Sequence, residues 1–265
     1  MGAVTPNRLR WGALAWLLTL QFFAVETIVQ FRGEGHSRAE DVISDLGATT
    51  WPGHQLMNAS FVVQAALILG GALLLWPALR SGAGRVAEFL LAAAALGVLM
   101  VGVFPEDTAG GAHGAGAVLY LVGGALALVA LAYAVRARSE AFGTTLVLLG
   151  LIGAATTTFF LTRTYLLGEG GTERAAAYVL PLGLALSGIV LWRLDAREAA
   201  PAGTRAAQRA QERAQERATA AERARQRDEA LEAAARRSEQ RPAPAAEDET
   251  DLDDPWAPQG RRRPE

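Results

Sequence analysis

The chain has 265 residues, 51% of them hydrophobic, with 25 basic against 27 acidic side chains, a formal net charge of -2 and no cysteine. Every basic residue is Arg. The balance leaves no electrostatic footprint for nucleic acid, and the lack of Cys removes disulfides and thiolate chemistry. These averages conceal two parts, an apolar stretch up to Trp192 and a tail from Arg193 that carries most of the charge.

In chain order, apolar runs cover residues 11–31, 59–79, 86–104, 117–135, 144–167 and 176–192. Each meets the roughly 17–25 residues that a helix needs to cross a hydrocarbon core about 30 Å thick. A soluble helical domain would place polar residues every three or four positions, and LLAAAALGVLMVGVF at 90–104 has none. The reading is an all-α integral membrane protein, a six-helix bundle over residues 1–199 in which abundant Gly and Ala let helices approach closely. The first run is too long for the apolar region of a signal peptide and lacks a small-residue cleavage pattern, so it is expected to stay attached.

Glu26 lies inside the first run and Arg163 near the end of the fifth. Ionisable residues in a membrane pair, snorkel or line a wet cavity, and these two are predicted to pair with each other. The first connection contains DVISDLGATTWPGHQLMN at 41–58. Ser37 and Glu40 have capping-box spacing, which predicts a short helix over 38–46, stopped by Gly47 and lying on the bilayer surface or over the bundle mouth. Asp41 and Asp45 are four apart and repel; Arg38 and solvent are the plain means of relieving them. Asn58, Ser60, Gln64 and Gln21 add polarity to the same half of the membrane.

After the second run come Arg80 and Arg85, with Glu88 placed to pair locally with Arg85. Pro105 closes the third run, and FPEDTAGGAHGAG at 104–116 reads as a Gly-rich loop that sets Glu106 and Asp107 at the interface and His113 just ahead of the fourth run. All three histidines, His36, His54 and His113, then fall on one side of the membrane. Imidazole and carboxylate suit zinc. No HxxxH or HExxH pair exists, and no metal or other cofactor is expected.

Arg8, Arg10, Arg80, Arg85, Arg136, Arg138, Arg193 and Arg197 flank the spans on the other side. Short Arg-rich segments stay cytoplasmic, so both termini are expected in the cytoplasm of a cell whose Arg and Ala bias points to a GC-rich bacterial genome. LILGGALLLW at 67–76 and YLVGGALALV at 120–129 align, and the same shift pairs Arg85 with Arg138 and Gly97 with Gly150, as a duplicated hairpin would. Residues 200–240 predict a solvated cytoplasmic helix without a coiled-coil seam, and 241–265 a disordered segment whose acidic block around Trp256 could meet a protein partner.

ISDLG (43–47), Asn58, GVFPED (102–107) and His113, in this order at helix boundaries, resemble the bacterial and archaeal membrane family catalogued as domain of unknown function 998. The resemblance covers residues 11–192 and excludes the tail; the layout also looks, more remotely, like the eukaryotic Frag and DRAM membrane proteins. It implies a fold without an established activity, and it marks Asp45, Asn58, Pro105 and His113, leaving His36 and His54 outside the pattern. Three functions are weighed. The first is an outward polar pocket that takes a lipid head group or small ligand through Glu26, Asp41, Asp45, Asn58, Glu106, Asp107, His113 and Arg163. The second is a hydrolase with His113 as base, oriented by Asp45 or Asp107. The third is transport, for which broken helices and polarity on the inner side are missing from the sequence pattern.

Overall fold

The computed structural model describes residues 5–79, 81–198 and 205–239. Six of its helical segments are long and apolar enough to cross a membrane: Asn7–Gln30, His54–Ala78, Gly82–Val103, Glu106–Val135, Glu140–Leu161 and Glu169–Leu194. The protein is a multi-pass membrane protein. Helices α1 (Pro6–Leu18) and α2 (Gln21–Gln30) form the first span, and α3 (His54–Leu75), α4 (Gly82–Val103), α5 (Glu106–Val135) and α6 (Glu140–Leu161) the next four. Helices α7 (Glu169–Ala177) and α8 (Val179–Glu198) form the sixth. Each span packs on the next in sequence, α8 returns to α1 to close the ring, and α5 also touches α8. The tail is a separate unit from Ala200; its described part is one helix, α9 (Arg205–Glu239), with exposed side chains wherever these are described. The segment expected to be disordered, 241–265, lies outside the described residues.

Small residues set the tightest crossing. A Cβ on Gly97 would stand 2.5 Å from the Gly116 carbonyl and 2.5 Å from the Tyr120 amide, so α4 and α5 meet backbone to backbone. Gly150, which the sequence shift pairs with Gly97, faces Val129 and Ala125 on α5 instead. Gly97 on α4 and Gly150 on α6 thus each let their helix approach the α5 backbone.

Several boundaries differ from the sequence reading. Helix α5 begins at Glu106, so the Gly-rich stretch is helical and His113 stands on a helix. Pro105 stands at its N-cap, Glu106 and Asp107 favour its positive end, Ala109 departs from helical dihedrals, and an apolar surround obliges the backbone to bond itself. Helix α6 ends at Leu161 rather than 167, and Arg163 follows in a left-handed conformation, φ 57°.

The sixth span starts earlier than 176 and breaks at Tyr178. Pro181 has no N–H for the Ala177 carbonyl four residues back, and the Tyr120 hydroxyl bonds that carbonyl at 3.1 Å instead. The first span also breaks, at Thr19 and Leu20, where the Thr19 hydroxyl reaches the Trp16 and Pro181 carbonyls at 2.6 and 3.2 Å. The first and last spans are therefore both interrupted and meet at their interruptions, contrary to the expectation of unbroken helices. Glu88 is corrected as well: it is buried, makes no ion pair with Arg85, and neither carboxylate oxygen has a hydrogen-bond partner.

Candidate functional site

The 38–46 α-helix does not form. Asp41 rather than Glu40 reaches back to cap the Ser37 amide at 2.7 Å, closing one isolated turn, and a 3-10 helix follows at Ile43–Gly47. Ile43 and Leu46 are fully buried, so this connection folds over the bundle mouth as a roof. Its apolar side chains alone would not fix its register. Polar pins do that.

The principal pin is Arg174 on α7, 5% exposed. Its Nε donates to Glu26 Oε1 at 2.8 Å, its Nη1 to the Arg38 and Asp41 carbonyls at 2.8 and 2.7 Å, and its Nη2 to His36 Nε2 at 3.0 Å. Glu26, 0% exposed, also faces Arg38 at 3.3 Å and accepts from the Tyr178 hydroxyl at 2.6 Å. The predicted Glu26–Arg163 pair is thus replaced by Glu26 with Arg174 and Arg38, while Arg163 is exposed beyond the end of α6. Arg38 is drawn to Glu26, Gln30 and Tyr178 and does not serve Asp41.

A buried pair of this kind is weak evidence for stability but strong for geometry, because either charge alone would be left in a dry interior. Guanidinium cannot accept, so His36 Nε2 must hold its lone pair and the ring is neutral. Burial pushes the His36 pKa down, Arg174 and Arg38 push it the same way, and Asp41 and Glu26 oppose them.

Other pins surround the first. The Gly170 and Gly171 amides, which open α7 and lack partners within it, donate to the Glu40 and Ala39 carbonyls of the roof at 3.3 and 2.9 Å. Asn58 Nδ2 donates to the Gly47 carbonyl at 2.9 Å, and Asp107 accepts from the Thr49 amide at 2.9 Å and from its hydroxyl. The Ile43 amide bonds the buried Glu173 carboxyl. Asp45 is half-buried in the 3-10 helix; burial raises its pKa, the Glu106, Asp41 and Glu169 carboxylates raise it further, and a Val42 backbone bond partly offsets them.

Beneath the roof lies a cavity of about 40 Å³. With roughly 10–15 Å³ needed for each water on this measure, it holds a few waters or one small polar group. Ser44, His113, Tyr120 and Glu173 give it polar walls; Phe22, Phe61, Ile43, Val98, Val101 and Ala117 give it apolar ones. His113 Nδ1 lies 2.8 Å from the Phe104 carbonyl. A carbonyl only accepts, so Nδ1 carries a proton, and in the neutral tautomer the lone pair is then on Nε2. The group that orients His113 is therefore a backbone carbonyl, in place of the expected Asp45 or Asp107.

Of the positions singled out in the sequence, His113 lines this cavity, Glu26 anchors the cluster beside the roof, and Asp41, Asn58 and Asp107 fasten the roof through their backbone or side chains. Asp45 and Glu106 do not line the cavity but lie close enough for the Glu106 charge to raise the Asp45 pKa, and Arg163 is exposed. Arg174, Tyr178, Glu173 and Tyr120 have no place in the site predicted from the sequence. Glu173 with Ala177 and Arg174 with Tyr178 repeat at helical spacing and lead without a stop into the sixth apolar run, which was the available signal. Among the described residues, no group of three or more His, Cys, Asp or Glu side chains is placed to hold a metal ion. Compared with known proteins, residues 17–190 match the family described as protein of unknown function (DUF998). No curated protein and no solved structure matches.

Proposed function

This chain belongs to the DUF998 family of proteins of unknown function, and on that premise we propose that its roofed cavity receives the polar end of a small amphiphile, a lipid head group or a comparable small ligand. The observation that carries this reading is the mixed lining: four polar side chains share one void with apolar walls, under a separately fastened segment. Binding sites of this kind combine apolar walls with a few polar groups that fix orientation. With Nδ1 bonded to the Phe104 carbonyl, the neutral His113 ring accepts at Nε2, and a hydrogen-bond donor on the ligand, such as a hydroxyl, completes that form. The small volume admits a head group only if the roof shifts.

The test is thermal unfolding of the purified chain with amphiphiles of equal chain length bearing glycerol, carboxylate or phosphate ends. Stabilisation by the glycerol form, abolished by Ala117→Phe and reduced by His113→Phe, supports the reading; indifference to all three counts against it. Hydrolysis ranks behind binding, because the Nδ1 of His113 lacks the carboxylate that would stabilise an imidazolium. Transport ranks third, favoured by the meeting of the interrupted first and last spans.

The roof faces outward across a bacterial cell membrane in this proposal, supported by the Arg-rich connections at the opposite end, and the tail helix offers a cytoplasmic protein partner a solvated surface. A charged maleimide added to intact cells then labels Glu34→Cys and spares Ala137→Cys until the membrane is permeabilised; the reverse pattern inverts the topology.

A further inference from the structure

At the end of the bundle away from the roof, α1 and α8 pack so closely that a Cβ on Gly188 would stand 2.7 Å from the Ala13 carbonyl. Beside this contact a groove of about 280 Å³ opens, lined by Arg10, Ala13, Leu14, Leu17, Ile189 and Trp192. The helices run antiparallel, so the Ala13–Gly188 level places Arg10 and Trp192 together at the mouth, one turn nearer the end. Leu17 lies about 10 Å deeper, by the helical rise of roughly 1.5 Å per residue.

Trp192 is half-exposed, as an indole at a membrane interface is. Among the residues whose side chains are described, no acidic one lines the groove and Arg10 makes no ion pair. Arg193, also exposed, follows Trp192 in the chain.

We propose that this groove is a binding site for an anionic phospholipid, with the acyl chain along Leu14, Leu17 and Ile189 and the phosphate against the Arg10 guanidinium. Apolar walls suit any acyl chain; the cation at the mouth selects the charge of the head. A second copy of the chain fits less well, since a two-fold contact through the groove would bring one Arg10 toward another. The site is independent of the roofed cavity and lies at the other end of the same spans.

Native mass spectrometry of the full chain in detergent, titrated with phosphatidylglycerol or phosphatidylcholine of the same acyl composition, tests it. One basic side chain near a membrane surface gives about a fivefold preference for the anionic lipid. Arg10→Gln is expected to abolish that preference and Arg10→Lys to keep it, while Ile189→Trp, which narrows the groove, weakens both lipids. Unchanged circular dichroism shows that Arg10→Gln still folds. Equal binding of the two lipids by the wild-type chain, an undiminished preference in Arg10→Gln, or a dimer indifferent to lipid overturns the proposal.

Discussion

Replacing Arg174 with Met removes the cation from Glu26 while keeping most of the side-chain volume. Taking one partner from a buried pair costs roughly 3–5 kcal/mol. Here Arg38 at 3.3 Å and the Tyr178 hydroxyl at 2.6 Å still serve the carboxylate, which places the expected cost near the lower end, about 3 kcal/mol. The roof loses the bonds to the Arg38 and Asp41 carbonyls and to His36 in the same step. At about 2–4 °C per kcal/mol for a chain of this size, the melting temperature falls by about 6–12 °C. Hydrogen exchange should quicken most at 37–47. Adding Glu26→Gln removes the buried carboxylate that has lost its nearest cation and recovers part of the loss. A melting temperature within 2 °C of wild type, with unchanged exchange over the roof, would refute the argument that Arg174 fastens it.

Acid should loosen the roof through His36. Its folded pKa is lowered, so the neutral ring's contribution is fully present above the unfolded value near 6.5 and is lost as pH falls below it, by at most about 1.4 kcal/mol per pH unit. Melting curves from pH 7.5 to 5 should show this slope in wild type and a flatter one in His36→Gln; equal slopes refute it. Asp45 acts in the opposite sense, because its pKa is raised: Asp45→Asn should stabilise at pH 7.5 and lose that advantage in acid. Asn58→Ala strands the Gly47 carbonyl and should cost about 1–3 kcal/mol in chemical or thermal unfolding. Gly97→Ala pushes a methyl into the α5 backbone and should cost about 1–3 kcal/mol, whereas a Cβ on Gly114 meets nothing within 4 Å and Gly114→Ala should be tolerated. Similar melting temperatures for the two alanines would refute the close crossing.

The six spans were legible because long uninterrupted apolar runs leave the backbone no other economical solution. Their interruptions were less so. Pro181 sits in a run whose hydropathy hides it, and the hydroxyl that replaces its missing N–H belongs to Tyr120, distant in sequence. Among the motif residues, Asn58 bonds the Gly47 carbonyl that ends ISDLG, and His113 faces the Phe104 carbonyl just ahead of PED. The apolar runs carry the fifth span past Leu161 and start the sixth at 176, which puts Arg163 rather than Arg174 within the membrane beside Glu26. Hydropathy alone favours that reading, since the charged first turns of α7 look like a loop. Only the packed bundle reveals that those turns are roofed, with the amides of Gly170 and Gly171 bonded to the roof's own carbonyls.

The absence of cysteine allows one thiol to report on the roof directly. With a charged maleimide, Ser44→Cys, which replaces a buried cavity residue beneath the roof, should react far more slowly than Glu34→Cys, which replaces an exposed one, and Arg174→Met should bring the two rates together. Equal labelling of the two thiols in the chain that keeps Arg174 would contradict a fastened roof over the cavity.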